Sequence, residues 1–219
     1  MFIKKQILIV LLLIAIPFIV AAILYPSLPS QIPIHFNWKG EADGWGKREI
    51  IFLTPSILGF VSLFVYFLLS NLKRIDPLRY AKTEDGIFKK FSLVMVIFMT
   101  GLSLIILFTS VHPEVPVNKL ILSFLGVGFG LMGFYMPKLQ QNYFAGFRLP
   151  WTLSSTANWD ATHKMAGKWW VWGGMAQMIA ATLFKEEILL IVFFAITAVI
   201  VLIPVIYSYQ YFRKNGPQS

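Results

Sequence analysis

One cluster of side chains able to do chemistry lies in the loop of residues 26–49. Its imidazole, amide and carboxylate groups come from His35, Asn37, Glu41 and Asp43. A zinc site takes such groups but needs three or four ligands in one place. His35 with His112 and one of Asp43 or Glu114 would complete that set, so an outer-face metalloenzyme stands as one hypothesis.

The same loop also has a simpler interpretation. Asn and Asp side chains bond to nearby backbone in turns, which predicts turns at residues 37–40 and 43–46. Trp38 and Trp45 suit the interface between membrane and water. This interpretation is favoured, and no metal or cofactor is predicted. The candidate ligand-binding residues of the loop are His35, Asn37, Trp38, Gly40, Asp43 and Trp45.

A second cluster is the segment of residues 142–167, NYFAGFRLPWTLSSTANWDATHKMAG, called the cassette below. Ser154, Asp160 and His163 are the residue types of a hydrolytic triad. Asp160 and His163 share one helical turn, however, and neither a nucleophile elbow nor an oxyanion hole is recognisable. A non-enzymatic function is therefore predicted.

The cassette has a plausible local structure of its own. Gly146 allows a bend, and Arg148 is available for a carboxylate or a phosphate. Ser154 or Ser155 can cap the N-terminus of a helix that contains His163. One interpretation is a docking segment for a partner. The alternative is an interfacial helix whose cationic side chains rest on lipid phosphates.

The elements that carry these loops are membrane helices. The chain has 219 residues, of which 57% are hydrophobic and 13% charged, whereas soluble domains average about 25% charged residues. A spanning helix needs about 20 apolar residues. The predicted fold is an all-α integral membrane protein, a polytopic bundle of six transmembrane helices. The predicted spans are residues 6–25, 50–70, 91–111, 120–136, 169–184 and 188–207.

Charge distribution predicts the orientation. The net charge is +9, and most of the 19 Lys and Arg residues fall on the side of the N-terminus. The positive-inside rule then places both termini in the cytoplasm, residues 26–49 outside, and residues 71–90 and 137–168 inside. The basic charge is expected to attract anionic lipid headgroups. Direct nucleic-acid binding is not predicted, because no folded basic domain presents these charges.

The predicted spans lack ionisable side chains, which argues against a proton-driven pump. Gly126 and Gly130 suit close packing of one helix on another. Because prolines and glycines also kink and line helices, a facilitator or channel for a small or lipid-like solute remains the alternative function.

The motifs of both loops resemble a known family. The cassette pattern is Asn142-x-x-x-Gly146-x-Arg148-x-Pro150-Trp151-Thr152-Leu153, followed by Trp159, His163 and Gly167. It is similar to the SdpI family of bacterial membrane immunity proteins. The first loop, with Leu28-Pro29-x-x-Ile32-Pro33-Ile34-His35-Phe36-Asn37 and Gly40, resembles a domain of unknown function often joined to that family.

This resemblance implies a multi-pass protein of the bacterial plasma membrane that gives resistance to a secreted peptide toxin. For part of the family it also implies capture of a cytoplasmic repressor. Residues 1–90 would form the N-terminal membrane region, and residues 91–219 an SdpI-like four-helix region. The implied partner-binding or signalling residues are Asn142, Gly146, Arg148, Pro150, Trp151, Thr152, Leu153, Trp159, His163 and Gly167.

Overall fold

The computed structural model describes residues 2–75 and 86–216, most of them helical. The helices are α1 (Phe2–Leu24), α2 (Leu53–Ser70), α3 (Leu72–Ile75), α4 (Gly86–Val111), α5 (Val117–Tyr135), α6 (Pro150–Leu153), α7 (Thr156–Leu183) and α8 (Glu186–Asn215). Short 3-10 helices span Tyr25–Ser27, Arg48–Phe52 and Met136–Lys138. Residues 76–85, part of the predicted basic loop 71–90, lie outside the described residues.

Five helices within residues 2–75 and 86–216 are long and apolar enough to cross a membrane. They cover Lys5–Ser27, Arg48–Ser70, Gly86–Val111, Val117–Lys138 and Glu186–Asn215. The predicted sixth span, residues 169–184, lies almost entirely in α7, which is not among the five. Gly173, Gly174 and Gln177 make this part of α7 less apolar than the other spans. Six spans remain a prediction.

The fold also contains a β-hairpin, which the all-α prediction lacked. Strands β1 (Gln31–Phe36) and β2 (Ala42–Lys47) pair in antiparallel register, with Gln31 opposite Lys47. Ile32 of β1 is buried with Ala21, Ile51 and Leu107. Since a two-stranded hairpin is marginal by itself, this apolar contact with the helices stabilises it.

The chain divides into two compact units. Unit 1 comprises Met1–Asn71 and Lys89–Ile121, and unit 2 comprises Leu72–Phe88 and Leu122–Ser219. The hairpin therefore belongs to unit 1, together with α1, α2 and α4. The cassette belongs to unit 2, together with α7 and α8. Helix α5 begins in unit 1 and continues in unit 2.

Each proline inside a long apolar helix frees a carbonyl that a neighbouring helix satisfies. Pro17 in α1 cannot donate to the carbonyl of Leu13, which instead accepts from the Thr100 hydroxyl at 3.3 Å. In α8, Pro204 frees the carbonyl of Ile200, which accepts from Trp170 Nε1 at 3.0 Å. An unsatisfied carbonyl in the membrane would cost several kcal/mol, so these bonds let both prolines stay within spans.

Glycines in unit 2 let α5 approach α7 closely. A Cβ on Gly126 would lie 2.8 Å from the carbonyl oxygen of Gly174. A Cβ on Gly133 would lie 2.8 Å from the carbonyl oxygen of Gly167. The predicted packing role of Gly126 is therefore confirmed, and Gly167 of the cassette takes part in the same helix contact.

Replacing Gly133 with Ala is expected to destabilise the protein by about 1–3 kcal/mol, because the new methyl group meets backbone atoms that cannot move aside. Its Cβ would also lie 2.7 Å from the amide nitrogen of Val171. Gly130→Ala is the matched control, since no atom lies within 4 Å of the added Cβ. Thermal unfolding in detergent measures both variants. Equal melting temperatures would contradict the close helix contact.

Candidate functional site

The turn of the hairpin is built by Asn37. Its Oδ1 accepts from the backbone N–H groups of Lys39 at 2.9 Å and Glu41 at 3.1 Å. Its Nδ2 donates to Glu41 Oε2 at 2.9 Å. Gly40 has φ +80°, a conformation that glycine adopts without strain. The predicted turn at residues 37–40 is confirmed.

The second predicted turn, at residues 43–46, is wrong because this segment forms most of strand β2. Gly44 instead allows the two strands to lie close together, because a Cβ there would be 2.9 Å from the Cβ of His35 on the paired strand. Asp43 bonds to a side chain rather than to backbone, with Oδ1 2.5 Å from His35 Nδ1. Trp38 and Trp45 are 55% and 54% exposed, as interface anchors need to be.

A pocket of about 500 Å³ lies within unit 1, against strand β1. Its other walls come from the start of α2, the end of α4 and the first turn of α5. We call it the hairpin pocket. Isoleucines supply much of its lining, and polar groups enter at Thr54, Ser110 and Asn118. Its size and its mixture of apolar walls with a few polar groups are typical of ligand sites.

Of the six residues predicted for ligand binding in the loop, only His35 lines this pocket. The other five shape or flank the hairpin. Asn118 joins the pocket to the hairpin tip, because its Nδ2 donates to the carbonyl of Trp38 at 3.1 Å. Thr54, Ser110 and Asn118 were not predicted. They belong to three separate helices, and no local pattern marks any of them.

The three-ligand metal hypothesis finds no support in the described part of the chain. His35 pairs with Asp43, and His112 pairs separately with Glu114 at 3.0 Å. Among residues 2–75 and 86–216, no three His, Asp or Glu side chains come together as metal ligands do.

The cassette begins with a loop organised around Asn142, which is fully buried. Its Oδ1 accepts from the N–H groups of Phe144 at 2.8 Å and Ala145 at 2.7 Å. Its Nδ2 donates to the carbonyls of Gln140 at 2.8 Å and Ala145 at 3.0 Å. All the hydrogen-bonding capacity of this amide is used inside the loop, so its role here is structural.

His163 connects that loop to α7. Its Nδ1 donates to the carbonyl of Trp159 at 2.8 Å, and its Nε2 accepts from the Phe147 N–H at 2.9 Å. These bonds assign the neutral tautomer protonated on Nδ1. Trp159 stacks on the imidazole with ring centroids 3.9 Å apart and donates from Nε1 to the Leu139 carbonyl at 2.7 Å. Both side chains are fully enclosed.

The exposed Gly146 and the buried Thr152 fix the next segment of the cassette. Gly146 has φ +105°, and a Cβ there would overlap the His163 imidazole. The Thr152 hydroxyl accepts from the Leu149 N–H at 2.9 Å and donates to the Phe147 carbonyl at 2.6 Å. The segment between Gly146 and Thr152 is thus held from both ends.

Helices α6 and α7 are anchored on α8 through Ser208. Trp151 Nε1 donates to the Ser208 hydroxyl at 2.8 Å, and Asn158 Nδ2 donates to the Ser208 carbonyl at 3.0 Å. The Trp151 ring also packs against Tyr209. Ser155 caps α7 by accepting from the Asn158 N–H at 3.2 Å, which confirms the predicted cap.

The predicted partner-binding set of the cassette therefore divides by exposure. Gly146, Arg148 and Pro150 are exposed, while Trp151 and Leu153 are half-buried. Arg148 Nη1 donates to the Tyr143 carbonyl at 2.8 Å, and the guanidinium has further N–H donors besides this one. The buried members are Asn142, Thr152, Trp159, His163 and Gly167.

Acidification is expected to destabilise the cassette through His163, which precedes the predicted span in α7. Burial lowers the pKa of His163 from 6.5 to about 4. The unfolded chain binds the proton near pH 6.5, whereas the folded protein resists it until about pH 4. Stability is therefore complete above pH 6.5 and falls by up to about 3 kcal/mol as the pH decreases to 4.

Melting temperatures of the purified protein between pH 4 and 7.5 test this expectation. His163→Gln keeps an acceptor for the Phe147 N–H but cannot be protonated, so its melting temperature is expected to vary less with pH. An identical pH dependence in both proteins would assign the effect to other groups.

Two family models match the chain, and each contains one of the two loops described above. The SdpI/YfhL protein family model matches residues 138–208, which contain the whole cassette. The resemblance to the SdpI family is confirmed. A domain of unknown function, DUF1648, matches residues 12–59, which contain the hairpin. No solved structure matches the chain.

One curated relative is similar along the whole chain. The protein named "Immunity protein SdpI" from Bacillus subtilis (strain 168) is 28% identical over 217 residues. The aligned part covers 97% of this chain and 99% of the relative. Together with the apolar helices, this similarity identifies a multi-pass membrane protein of the bacterial plasma membrane.

Proposed function

We propose that this chain is a membrane immunity protein that protects a bacterium by capturing a secreted peptide toxin in the hairpin pocket. The similarity to SdpI along almost the whole chain supports the immunity role. The pocket, about 500 Å³ in size with apolar walls and a few polar groups, supports capture of an apolar peptide segment. The function is binding, without catalysis.

The proposed topology has six spans, with part of α7 as the fifth, and both termini in the cytoplasm. The distribution of basic residues supports it through the positive-inside rule. The hairpin and its pocket then face outward, where a secreted peptide arrives, and the cassette faces the cytoplasm.

A second part of the proposal concerns signalling from the cassette. Its exposed side, with Arg148, Pro150 and Tyr143, would hold a cytoplasmic repressor, while the buried residues keep that surface in shape. Exposed Arg and aromatic side chains are typical of protein interfaces. Arg148→Ala is expected to release the partner from isolated membranes without lowering the amount of inserted protein. If membranes with Arg148→Ala retain as much partner as wild-type membranes, the signalling proposal is wrong.

The immunity role is tested in bacteria that are killed by a peptide toxin but survive when they produce an SdpI-family protein. Cells producing this chain are expected to survive toxin concentrations that kill cells with an empty vector. The Bacillus subtilis relative serves as the positive control. Unchanged killing, with both proteins inserted in equal amounts, would remove the immunity claim for that toxin.

A further inference from the structure

A small cavity lies within unit 1, where helices α1, α2 and α4 pack together. Its volume is about 10 Å³, which is close to the least space that one buried water molecule needs. Ser62 of α2 and Thr100 and Ser103 of α4 bring hydroxyl groups to a lining that is otherwise apolar. The cavity shares no lining residue with the hairpin pocket.

The hydroxyl of Ser103 is the feature of this cavity that needs a partner. Ser103 is 1% exposed, and its Oγ is enclosed without a hydrogen bond to any described residue. A serine or threonine within a helix often donates to a carbonyl one turn earlier. On α4, Ser92 does so to the Lys89 carbonyl at 2.9 Å. Thr109 does so to the Ile106 carbonyl at 3.0 Å. Ser103 makes no such bond to its own helix, and it lines the cavity.

The other two hydroxyl groups complete a polar site. Thr100 uses its proton on the Leu13 carbonyl at 3.3 Å, but a hydroxyl oxygen can still accept. Ser62 is 2% exposed and approaches from α2. A buried water takes two to four polar partners, and these three hydroxyls supply that number. None of the described lining residues is charged, so a cation here would be buried without a counter-charge.

We propose that one water molecule binds in this cavity and bridges Ser103 of α4 to Ser62 of α2. The water is the partner that the Ser103 hydroxyl lacks among the described residues, in a span where an unsatisfied polar group is costly. Thr100 already joins α4 to α1 through the Leu13 carbonyl, and the water adds a polar contact between α4 and α2. The site stands independently of toxin capture.

Melting temperatures of the full-length protein in detergent test the site. Ser103→Ala is expected to lower the melting temperature by about 2–4 °C, the effect of one lost hydrogen bond in a protein of this size. A dry cavity predicts a rise instead, because alanine then removes a buried hydroxyl that has no partner. Ser92→Ala is the matched control: Ser92 is 0% exposed on the same helix and bonds to its own backbone, so little change is expected.

The double variant Ser62→Ala/Ser103→Ala tests whether both hydroxyls hold the same water. If they do, either single substitution already removes the bridge. The double variant is then expected to melt close to the less stable single variant, because groups that share a partner are not additive. Two effects that add in full would contradict a shared water.

A high-resolution structure of the wild-type protein in lipid identifies the occupant. We expect one ordered water at about 2.7–3.0 Å from Ser103 Oγ. A Ser103 hydroxyl that instead donates to the Met99 carbonyl, with no water beside it, would overturn the proposal. Exchange of sodium for choline in the buffer is expected to leave the melting temperature unchanged. A fall seen in wild type but not in Ser103→Ala would assign the site to a cation and overturn the water.

Discussion

Thr54→Trp is expected to abolish protection from the toxin while the protein still inserts into the membrane. Thr54 lines the hairpin pocket from the start of α2, and an indole there would occupy space that the proposed ligand needs. Each 1.4 kcal/mol of lost binding free energy weakens affinity tenfold. We therefore expect cells with this variant to tolerate at most about one tenth of the toxin concentration that wild type tolerates.

Ile57→Trp is the matched control, because Ile57 lies one turn further along α2, is 53% exposed and does not line the pocket. Ser110→Trp introduces the same side chain from the end of α4, on another wall. Both pocket variants should fail while Ile57→Trp protects. If all three protect equally at equal membrane levels, the hairpin pocket does not hold the toxin.

Trp159→Ala is expected to cost about 3–5 kcal/mol of stability, the largest effect of any substitution in the cassette. Trp159 is 0% exposed, and its loss leaves a large cavity under the His163 ring. It also leaves the Leu139 carbonyl without its donor. Since whole domains have a net stability of about 5–15 kcal/mol, this loss removes a large share of that stability, and a lower level of the protein in membranes is expected.

Two further tryptophan variants separate the causes. Trp159→Phe keeps a ring beside His163 but removes the N–H donor, so a smaller loss of about 1–3 kcal/mol is expected. Trp172→Ala, on the same helix at 67% exposure, should change stability by less than about 0.5 kcal/mol. Denaturation in detergent and protein levels in membranes measure the series. A stable Trp159→Ala protein would contradict the buried role of the cassette.

Local features of the loops were predictable from sequence. The Asn37 turn and the Ser155 cap each depend on a side chain that bonds to backbone within four residues. Such contacts follow from residue type and spacing alone. The apolar spans follow from composition in the same way, apart from the part of α7 that contains Gly173, Gly174 and Gln177.

The hairpin was not predictable by the same means. Strand β1 contains Pro33 and β2 contains Gly44 and Gly46, residues that weaken a strand pattern and resemble turn signals. What stabilises the strands is distant in sequence: Ile32 packs with Ala21 and Leu107. The same long-range packing brings the walls of the hairpin pocket together, which explains why Ser110 and Asn118 carried no recognisable signal.

The cassette shows the opposite difficulty, because its motif was recognisable but its role was not. A polar residue such as His163 has the same residue type whether it faces a partner or a buried backbone group. Only the fold reveals that its Nε2 meets the Phe147 N–H, 16 residues earlier. The buried residues of the motif therefore hold the segment together, and its exposed side at Arg148 is the part available to the proposed partner.

Site-specific photo-crosslinking tests toxin capture in the hairpin pocket most directly. A photoreactive phenylalanine replaces Phe36, which lines the pocket, or Tyr143, which is 47% exposed in the cassette, so that each aromatic side chain gives way to one of similar size. Protected cells are then treated with the toxin and illuminated. We expect a protein–toxin adduct from position 36 and none from position 143. An adduct from position 143 alone, in protein that still protects, would contradict capture at the hairpin.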